Sequence, residues 1–353
     1  MVVGQDGKLP LPWLETPLAA ALTQHQGHAL LVQGSADIGA LEFAFVLAQS
    51  WLCEGRLPGQ PMRPCGRCDS CHLLQARAHP DLLLLLTEEA RQQSGWLLPL
   101  DKAASAPSSS DDGKPGKKAS RQIRIDEVRW CNEWAAKTSS RGRAKVVVLH
   151  PADVLNPQAA NALLKTLEEP SAGVRFVLTA TDAESLLPTV RSRCQLFRLA
   201  VPEEGAALAW LDEHGVADGV VLLAAAGGRP LLAQSYYAAG VTAATWSGLP
   251  AAVARGDARA FSGWPLARAI DALLRLCHDL MRHAVGGAAQ YFPHAVITPL
   301  TASATDLAPW HRSLQRASRH DGHAWNEGLL LESLCAQGAL AMKGSTGAAG
   351  VRR

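Results

Sequence analysis

Residues 28–41, HALLVQGSADIGAL, decide how the rest of the chain is read. His28 to Val32 (HALLV) is a short apolar run of the kind that forms a buried strand. It leads into Gly34, and the apolar-rich segment 40–53 that follows has helical length with neither Pro nor Gly. Strand, glycine turn and helix in that order open an α/β nucleotide-binding unit. A working phosphate loop reads G-x-x-x-x-G-K-[ST]: backbone N–H groups hold the phosphates, the lysine neutralises the outer oxygens and the hydroxyl ligates magnesium. Here Gly34 and Gly39 keep the glycine spacing, but Ala40 and Leu41 stand at the lysine and hydroxyl positions. Neither side chain carries charge or ligates a metal.

Working outward, Leu82 to Leu86 and KVVVL (145–149) are continuous apolar runs, as in parallel strands covered on both faces, and 174–181 is a further strand. A helix is expected from a cap at Asp126 towards Lys137. Another starts at Asn156 and Pro157, with Ala160, Leu163, Leu164 and Leu167 on one face, and stops at Pro170. Strands alternating with helices predict a mostly parallel sheet up to about Leu199. The second strand of an active site should close on an acidic pair, one acid for magnesium and one for the attacking water. This sequence offers His150, Pro151 and Ala152 there, with Asp153 arriving late.

Residues 87–120 break the pattern, and the second half, AASAPSSSDDGKPGKKAS, predicts a disordered insertion. Beyond Pro202 strand signals fade. Ala- and Leu-rich stretches at 203–214 and 219–226 suggest a small helical domain, 250–343 reads as helices again, and 344–353 as a loose tail. The expected architecture is one α/β domain followed by two helical ones.

The chain has 353 residues, 48% apolar and 19% charged, with a net charge of +2, so overall charge makes no case for nucleic acid. Residues 114–145 hold ten Lys or Arg against Asp126, Glu127 and Glu133, which we read as a solvated insert followed by a helix with a basic face. No secretory pattern opens the sequence and no apolar run approaches bilayer length, so the expected compartment is the cytoplasm, where thiols stay reduced.

That compartment bears on the eight cysteines. Cys65, Cys68 and Cys71 sit in CGRCDSC, and Cys53 ends the preceding helix. Four thiolates, three in a knuckle and one from a helix end, suit a closed tetrahedral zinc that is structural, stapling the 55–64 excursion. His72 could replace one sulfur. Two rivals are less economical: CDSCH matches a haem-attachment motif but requires an oxidising compartment and leaves Cys65 unexplained, and the other is a redox-active pair. Cys131, Cys194, Cys277 and Cys335 are scattered and read as small buried side chains.

The segments HALLVQG, LCEG with CGRCDSCHLL, AHPDLLLL, AKVVVLHPADVLNPQAANALLKTLEEP and LLPTVRSRCQLFRL, in that order, resemble the delta-prime family of bacterial DNA polymerase III clamp-loader subunits. The match is close over 13–199 and looser over the helical remainder. The resemblance implies a RecA-like AAA+ domain (1–199) with a zinc module (53–71) and the insertion (about 87–120), a lid (200–242) and a C-terminal oligomerisation collar (243–353). It implies a non-hydrolysing subunit of an assembly that places the sliding clamp on primed DNA. Its partners would be the ATP-hydrolysing gamma/tau type and the delta type of subunit, with no membrane contact. The cofactors would be a structural zinc on Cys53, Cys65, Cys68 and Cys71, and the ATP of the neighbouring subunit only. In the family's Ser-Arg-Cys motif, here Ser192, Arg193 and Cys194, Arg193 would be an arginine finger acting in trans. From the residues alone Arg191 is an equal candidate. Thr181, Asp182 and Arg229 sit where active relatives sense nucleotide, but as turn and cap residues they need no such role. Two other readings stand beside this one: an atypical active AAA+ ATPase, and a zinc-dependent DNA-binding module, which is disfavoured because the cluster lacks interleaved aromatic residues and has only Arg63, Arg67 and Arg77 nearby.

Overall fold

The computed structural model describes residues 2–25, 27–55, 63–96, 122–300, 302–319 and 326–343. Most of the insertion expected at 87–120, part of the 55–64 excursion and the tail 344–353 lie outside the described residues. The chain forms two compact units, Met1–Pro202 and Glu203–Arg353.

The first unit is built on five strands: β1 (Ala29–Gln33), β2 (Leu82–Leu86), β3 (Lys145–His150), β4 (Val174–Ala180) and β5 (Gln195–Arg198). All pairs are parallel, in the order β2-β3-β4-β1-β5. Its helices are α1 (Glu15–Gln24), α2 (Ala40–Leu52), α3 (Asp69–Gln75), α4 (Glu88–Ser94), α5 (Ile125–Ala135), α6 (Pro157–Glu168) and α7 (Pro188–Arg191). The crossover from β1 to β2 runs one way across the sheet, and every later crossover runs the other way. Right-handed connections therefore put α2 on one face and α5 and α6 on the other.

Side-chain alternation agrees with that division. Leu31, Leu83, Leu85, Val147, Leu149, Phe176 and Leu178 form one core with Val128 and Cys131 of α5 and Leu163 and Leu167 of α6. The intervening Leu30, Val32, Val146, Val148 and Val177 are also buried, and α2 lies against β1, β3 and β4. Both faces are covered, which is why β2 and β3 read as unbroken apolar runs.

Three expectations need correction. The stretch 87–120 does not begin as coil. Thr87 caps α4 by accepting the Ala90 N–H at 3.2 Å, and Arg91 of α4 meets Glu127 at 2.6 Å in a pair that is largely buried. EEARQQS has no apolar period, so tertiary contacts hold this helix. Second, α5 starts one residue before Asp126, with Arg124 at the cap and its N–H given to Glu127 Oε2 at 3.4 Å. Third, α5 has no basic face, since its charged residues are Asp126, Glu127, Arg129 and Glu133. Of the basic residues further on, Arg141 and Lys145 are spent internally. Lys145 is buried, donates to the Trp134 and Lys137 carbonyls at 2.6 and 3.2 Å, and is held below the usual lysine pKa by burial.

The second unit is helical throughout its described residues: α8 (Glu204–Glu213), α9 (Gly219–Ala225), α10 (Pro230–Ala238), α11 (Ala243–Ala254), α12 (Leu266–Ala284), α13 (His294–Ile297), α14 (Ala304–Arg319) and α15 (Glu327–Lys343). The last stretch of helices begins at Ala243, not Pro250. Thr242 caps α11 by accepting the Thr245 N–H at 3.2 Å, and Pro250 lies inside the helix as a buried residue. Trp246 stacks with Tyr236, Trp264 and Phe292 at its centre. The fully buried Asp279 carboxylate accepts the N–H groups of Gln290, Tyr291 and Phe292 at 2.8–2.9 Å, so it ties that loop to α12 without an uncompensated charge. Arg229 stands at the N-cap position of α10 without capping it through its side chain; its Nε donates instead to the Ala226 carbonyl, at the end of α9, at 2.8 Å.

Candidate functional site

The glycine turn follows β1 at the carboxyl end of the sheet, where open α/β folds take their ligands. Gly34 is tied to β4 through the Ala180 carbonyl at 2.9 Å. Ser35 then caps a short turn by accepting the Asp37 N–H at 3.2 Å. Gly39 has φ 91°, which only glycine adopts freely, and a Cβ there would stand 2.2 Å from Leu11 Cδ1. Leu11 is buried, and Trp13 Nε1 donates to the Ile38 carbonyl at 2.9 Å, so the segment before α1 lies over the turn. Ala40 is buried and Leu41 half-buried at the head of α2. Asp37 and Glu42 are the charged side chains of the turn and first helical residues, and both repel a phosphate.

The end of β3 is equally altered. His150 Nδ1 lies 2.6 Å from Thr179 Oγ1, and burial pushes the imidazole down to about 4, so it is neutral at pH 7. Asp153 is turned away to structural work, accepting the Thr181 N–H at 3.1 Å, and Asp182 caps the next turn through the Glu184 N–H at 3.0 Å. A pH dependence follows. Below about pH 6.5 the unfolded chain protonates His150, while the fold refuses that proton until about pH 4. Stability is therefore complete above that window and lost as pH falls through it, by up to ~1.4 kcal/mol per pH unit for this one group. Burial likewise lowers His25 and His79, so the total slope is steeper. Denaturant midpoints of wild type and His150→Asn at pH 7 and pH 5 check this. The variant should take up about one proton fewer on unfolding, and identical slopes would refute it.

The four cysteines named from the sequence come together. Their sulfurs all lie within 4.8 Å of one another, with Cys53–Cys68 and Cys65–Cys71 each at 3.9 Å. A tetrahedron of sulfurs ~2.3 Å from a zinc has edges of about 3.8 Å. Backbone N–H groups point at sulfur as they would at thiolates: Cys65 N to Cys53 Sγ at 3.4 Å, and Arg67 N and Cys68 N to Cys65 Sγ at 3.4 and 3.3 Å. The hydrogen bond from Cys71, then the Cys65 and Gly55 N–H groups, bring Cys53 down to about 4, while the proton the pair shares stays on Cys71. The cluster can hold one metal ion and is compatible with a structural zinc. His72 is not among the clustered ligand groups.

Cys53 closes α2 and Ala40 opens it, so the 13-residue helix sets the cluster about 20 Å from the glycine turn. The first residues of the chain connect the two. The Val3 carbonyl accepts from Gln49 and Gln75, the Gln5 carbonyl from Arg67, and a Cβ at Gly66 would overlap the Gly4 carbonyl oxygen. Leu11 then reaches Gly39. The arginines near the cluster are engaged within the chain: Arg63 with Glu15, Arg67 with Gln5 and Arg77 with Gly95.

Arg193 follows α7 and precedes β5. Its Nη2 and Nε meet Glu168 Oε2 at 2.9 and 3.3 Å, and its Nη1 donates to the Thr189 carbonyl at 2.9 Å. The side chain remains 30% exposed. Ser192 Oγ donates to the same Thr189 carbonyl at 3.2 Å, and burial pushes the Cys194 thiol up to about 12, so it acts as an apolar anchor. Arg191 is paired with Glu184. Since β5 runs parallel to β1, with Gln195 opposite Leu30 and Arg198 opposite Gln33, Arg193, in the turn just before β5, lies at the opposite end of the sheet from the chain's own glycine turn. The missed site feature is the carboxylate at Glu168, 25 residues away in sequence and without a spacing signal.

Parallel strands in this order, with a glycine turn after β1, define a phosphate-loop type of α/β protein. The chain belongs to the family described as DNA polymerase III, delta subunit, whose model matches residues 16–203, more than half of its length. It is 35% identical over 229 residues to a DNA polymerase III subunit delta' of Haemophilus influenzae, covering 63% of this chain and 60% of that one. Against the corresponding subunit of Pseudomonas aeruginosa it is 37% identical over 223 residues, 62% and 58% of the two chains. A DNA polymerase III subunit tau of Salmonella typhimurium is 30% identical over 199 residues, 56% of this chain and 25% of tau. The chain thus spans about 60% of the length of the delta' relatives. No described helix is long and apolar enough to cross a membrane.

Proposed function

We propose that this chain is a non-hydrolysing subunit of a DNA polymerase III clamp loader, supporting ATP-driven placement of the sliding clamp on primed DNA. It works in the cytoplasm beside gamma/tau-type and delta-type subunits. In this reading residues 1–199 are the AAA+ domain, 200–242 the lid and 243–353 the collar through which subunits associate, and zinc on the four cysteines is structural. The fold is kept while the chemistry is given up: the turn lacks a cation, Leu11 covers Gly39, and a neutral His150 stands where magnesium would need an acid.

The observation that carries the reading is Arg193. A permanently charged guanidinium is fixed at a part-exposed position at the opposite end of the sheet from the chain's own turn. It is of use to a nucleotide only if that nucleotide belongs to a neighbour, which a head-to-tail arrangement of subunits supplies. There it would stabilise the charge spreading over the γ-phosphate oxygens.

The test is reconstitution. The purified chain alone should show no turnover with magnesium and ATP. Mixed with gamma/tau-type and delta-type subunits, it should co-elute with them and raise their ATP hydrolysis. Turnover by the isolated chain, or failure to join the complex, would reject the proposal.

A further inference from the structure

We infer that Glu168 is a positioning residue for Arg193, an inference that rests on Arg193 acting as a finger for a neighbour's ATP. An exposed arginine ordinarily samples many rotamers, and only a few would aim its donors at a phosphate. Here three of its five N–H groups are committed. Nε and Nη2 share Glu168 Oε2 at 3.3 and 2.9 Å, and Nη1 uses the Thr189 carbonyl at 2.9 Å.

The two anchors are rigid. Glu168 is the last residue of α6, which is fixed by the fully buried Leu163 and Leu167, and Thr189 belongs to the turn of α7 fixed by the buried Val190. The carboxylate takes the side-on edge of the fork formed by Nε and Nη2. One N–H on Nη1 and one on Nη2 stay free for an anion. Glu168 is itself 59% exposed, so its charge repels a phosphate from its own side and leaves the outer donors as the approach. Glu168 thus both holds the guanidinium and selects the edge it presents.

The experiment compares ATP hydrolysis by the reconstituted complex carrying Glu168→Ala, Glu168→Gln, Arg193→Ala or the Glu168→Ala/Arg193→Ala pair. A misplaced finger should cost about 10- to 100-fold in kcat for Glu168→Ala, with KM for ATP unchanged because Glu168 touches no nucleotide. Glu168→Gln keeps an acceptor oxygen and should fall between. The double variant should be no slower than Arg193→Ala alone, because the carboxylate acts only through the arginine. Gel filtration should show all four complexes assembled. Wild-type kcat in Glu168→Ala, or a loss that multiplies fully onto that of Arg193→Ala, would overturn the positioning role while leaving the finger intact. An Arg193→Ala complex at wild-type rate would instead overturn the finger, and the positioning role with it.

Discussion

Arg193→Ala is expected to lower ATP hydrolysis at the adjoining subunit's site about 1,000-fold while leaving the subunits assembled, because a finger supplied in trans contributes on that scale. The size follows from where the charge acts. A guanidinium wedged between subunits would meet the γ-phosphate away from bulk water, and its planar fork would donate without reorganising during the reaction. Stability of the chain itself should hardly change. The lost pair with Glu168 is part-exposed, with side chains 30% and 59% accessible, and such pairs contribute only about 0–1 kcal/mol. The loss should therefore appear in kcat. Arg193→Lys should recover little, since an ammonium on a flexible stem cannot reproduce the fork held on Glu168 and the Thr189 carbonyl. Arg191→Ala is the comparison that separates the two neighbouring arginines: Arg191 is already paired with Glu184, and its loss should leave most of the rate. Unchanged hydrolysis in Arg193→Ala would end the trans-activation reading.

The division between what could be read and what could not follows the physics of each element. Runs such as Leu82 to Leu86 and Val146 to Leu149 were legible because a strand covered on both faces must be apolar at every position. Helix α6 was legible because Asn156 caps it through the Ala159 N–H at 2.8 Å and its buried residues keep a helical spacing. Strand β5 gave no such signal. It is four residues at the sheet edge, mostly exposed, and it is set by pairing with β1 and by the stacking of Phe197 on Phe43 at 5.3 Å. Helix α4 was hidden for a related reason: Arg91 and Glu127 that fix it are 36 residues apart.

The site divides in the same way. The cysteines and glycines announce themselves by spacing, since a knuckle and a tight turn are local constraints. The chemistry around them is not local. Nothing in the sequence places Leu11 on Gly39 or Glu168 on Arg193, because those contacts come from how the chain returns on itself. Charge counts mislead for the same reason. The basic stretch 114–145 suggested a cationic surface, yet Lys145 is turned inward onto Trp134 and Arg141 is spent on Glu54 at 2.5 and 2.9 Å.

Removing metal should have the other large effect. The purified chain is expected to carry one zinc, and a strong chelator or Cys71→Ser should lower its thermal midpoint by about 10 °C or more. That figure takes ~4 kcal/mol of a structural zinc's ~10–16 kcal/mol binding energy as loss of the folded state, at ~2–4 °C per kcal/mol for a unit this size. Only part of the binding energy is counted because the sheet has its own core on both faces. The cluster region does not: α3 is seven residues long, too short to persist alone. Without the ion, the buried Cys53 and Cys71 sulfurs lose the cation that holds them together, and Cys65 Sγ, which the Arg67 and Cys68 N–H groups face, is no longer fixed. The damage should also travel. Residues 3–5 are held by Gln49, Gln75 and Arg67, and six residues further on Leu11 packs on Gly39. Hydrogen exchange should therefore rise over 63–75 and also at Ile38 and Gly39, about 20 Å away along α2. A chain without metal, or one indifferent to chelation, would sink the zinc assignment. Faster exchange confined to 63–75 would keep the zinc but show that the opening segment holds to the turn by its own contacts, through Leu11 and Trp13.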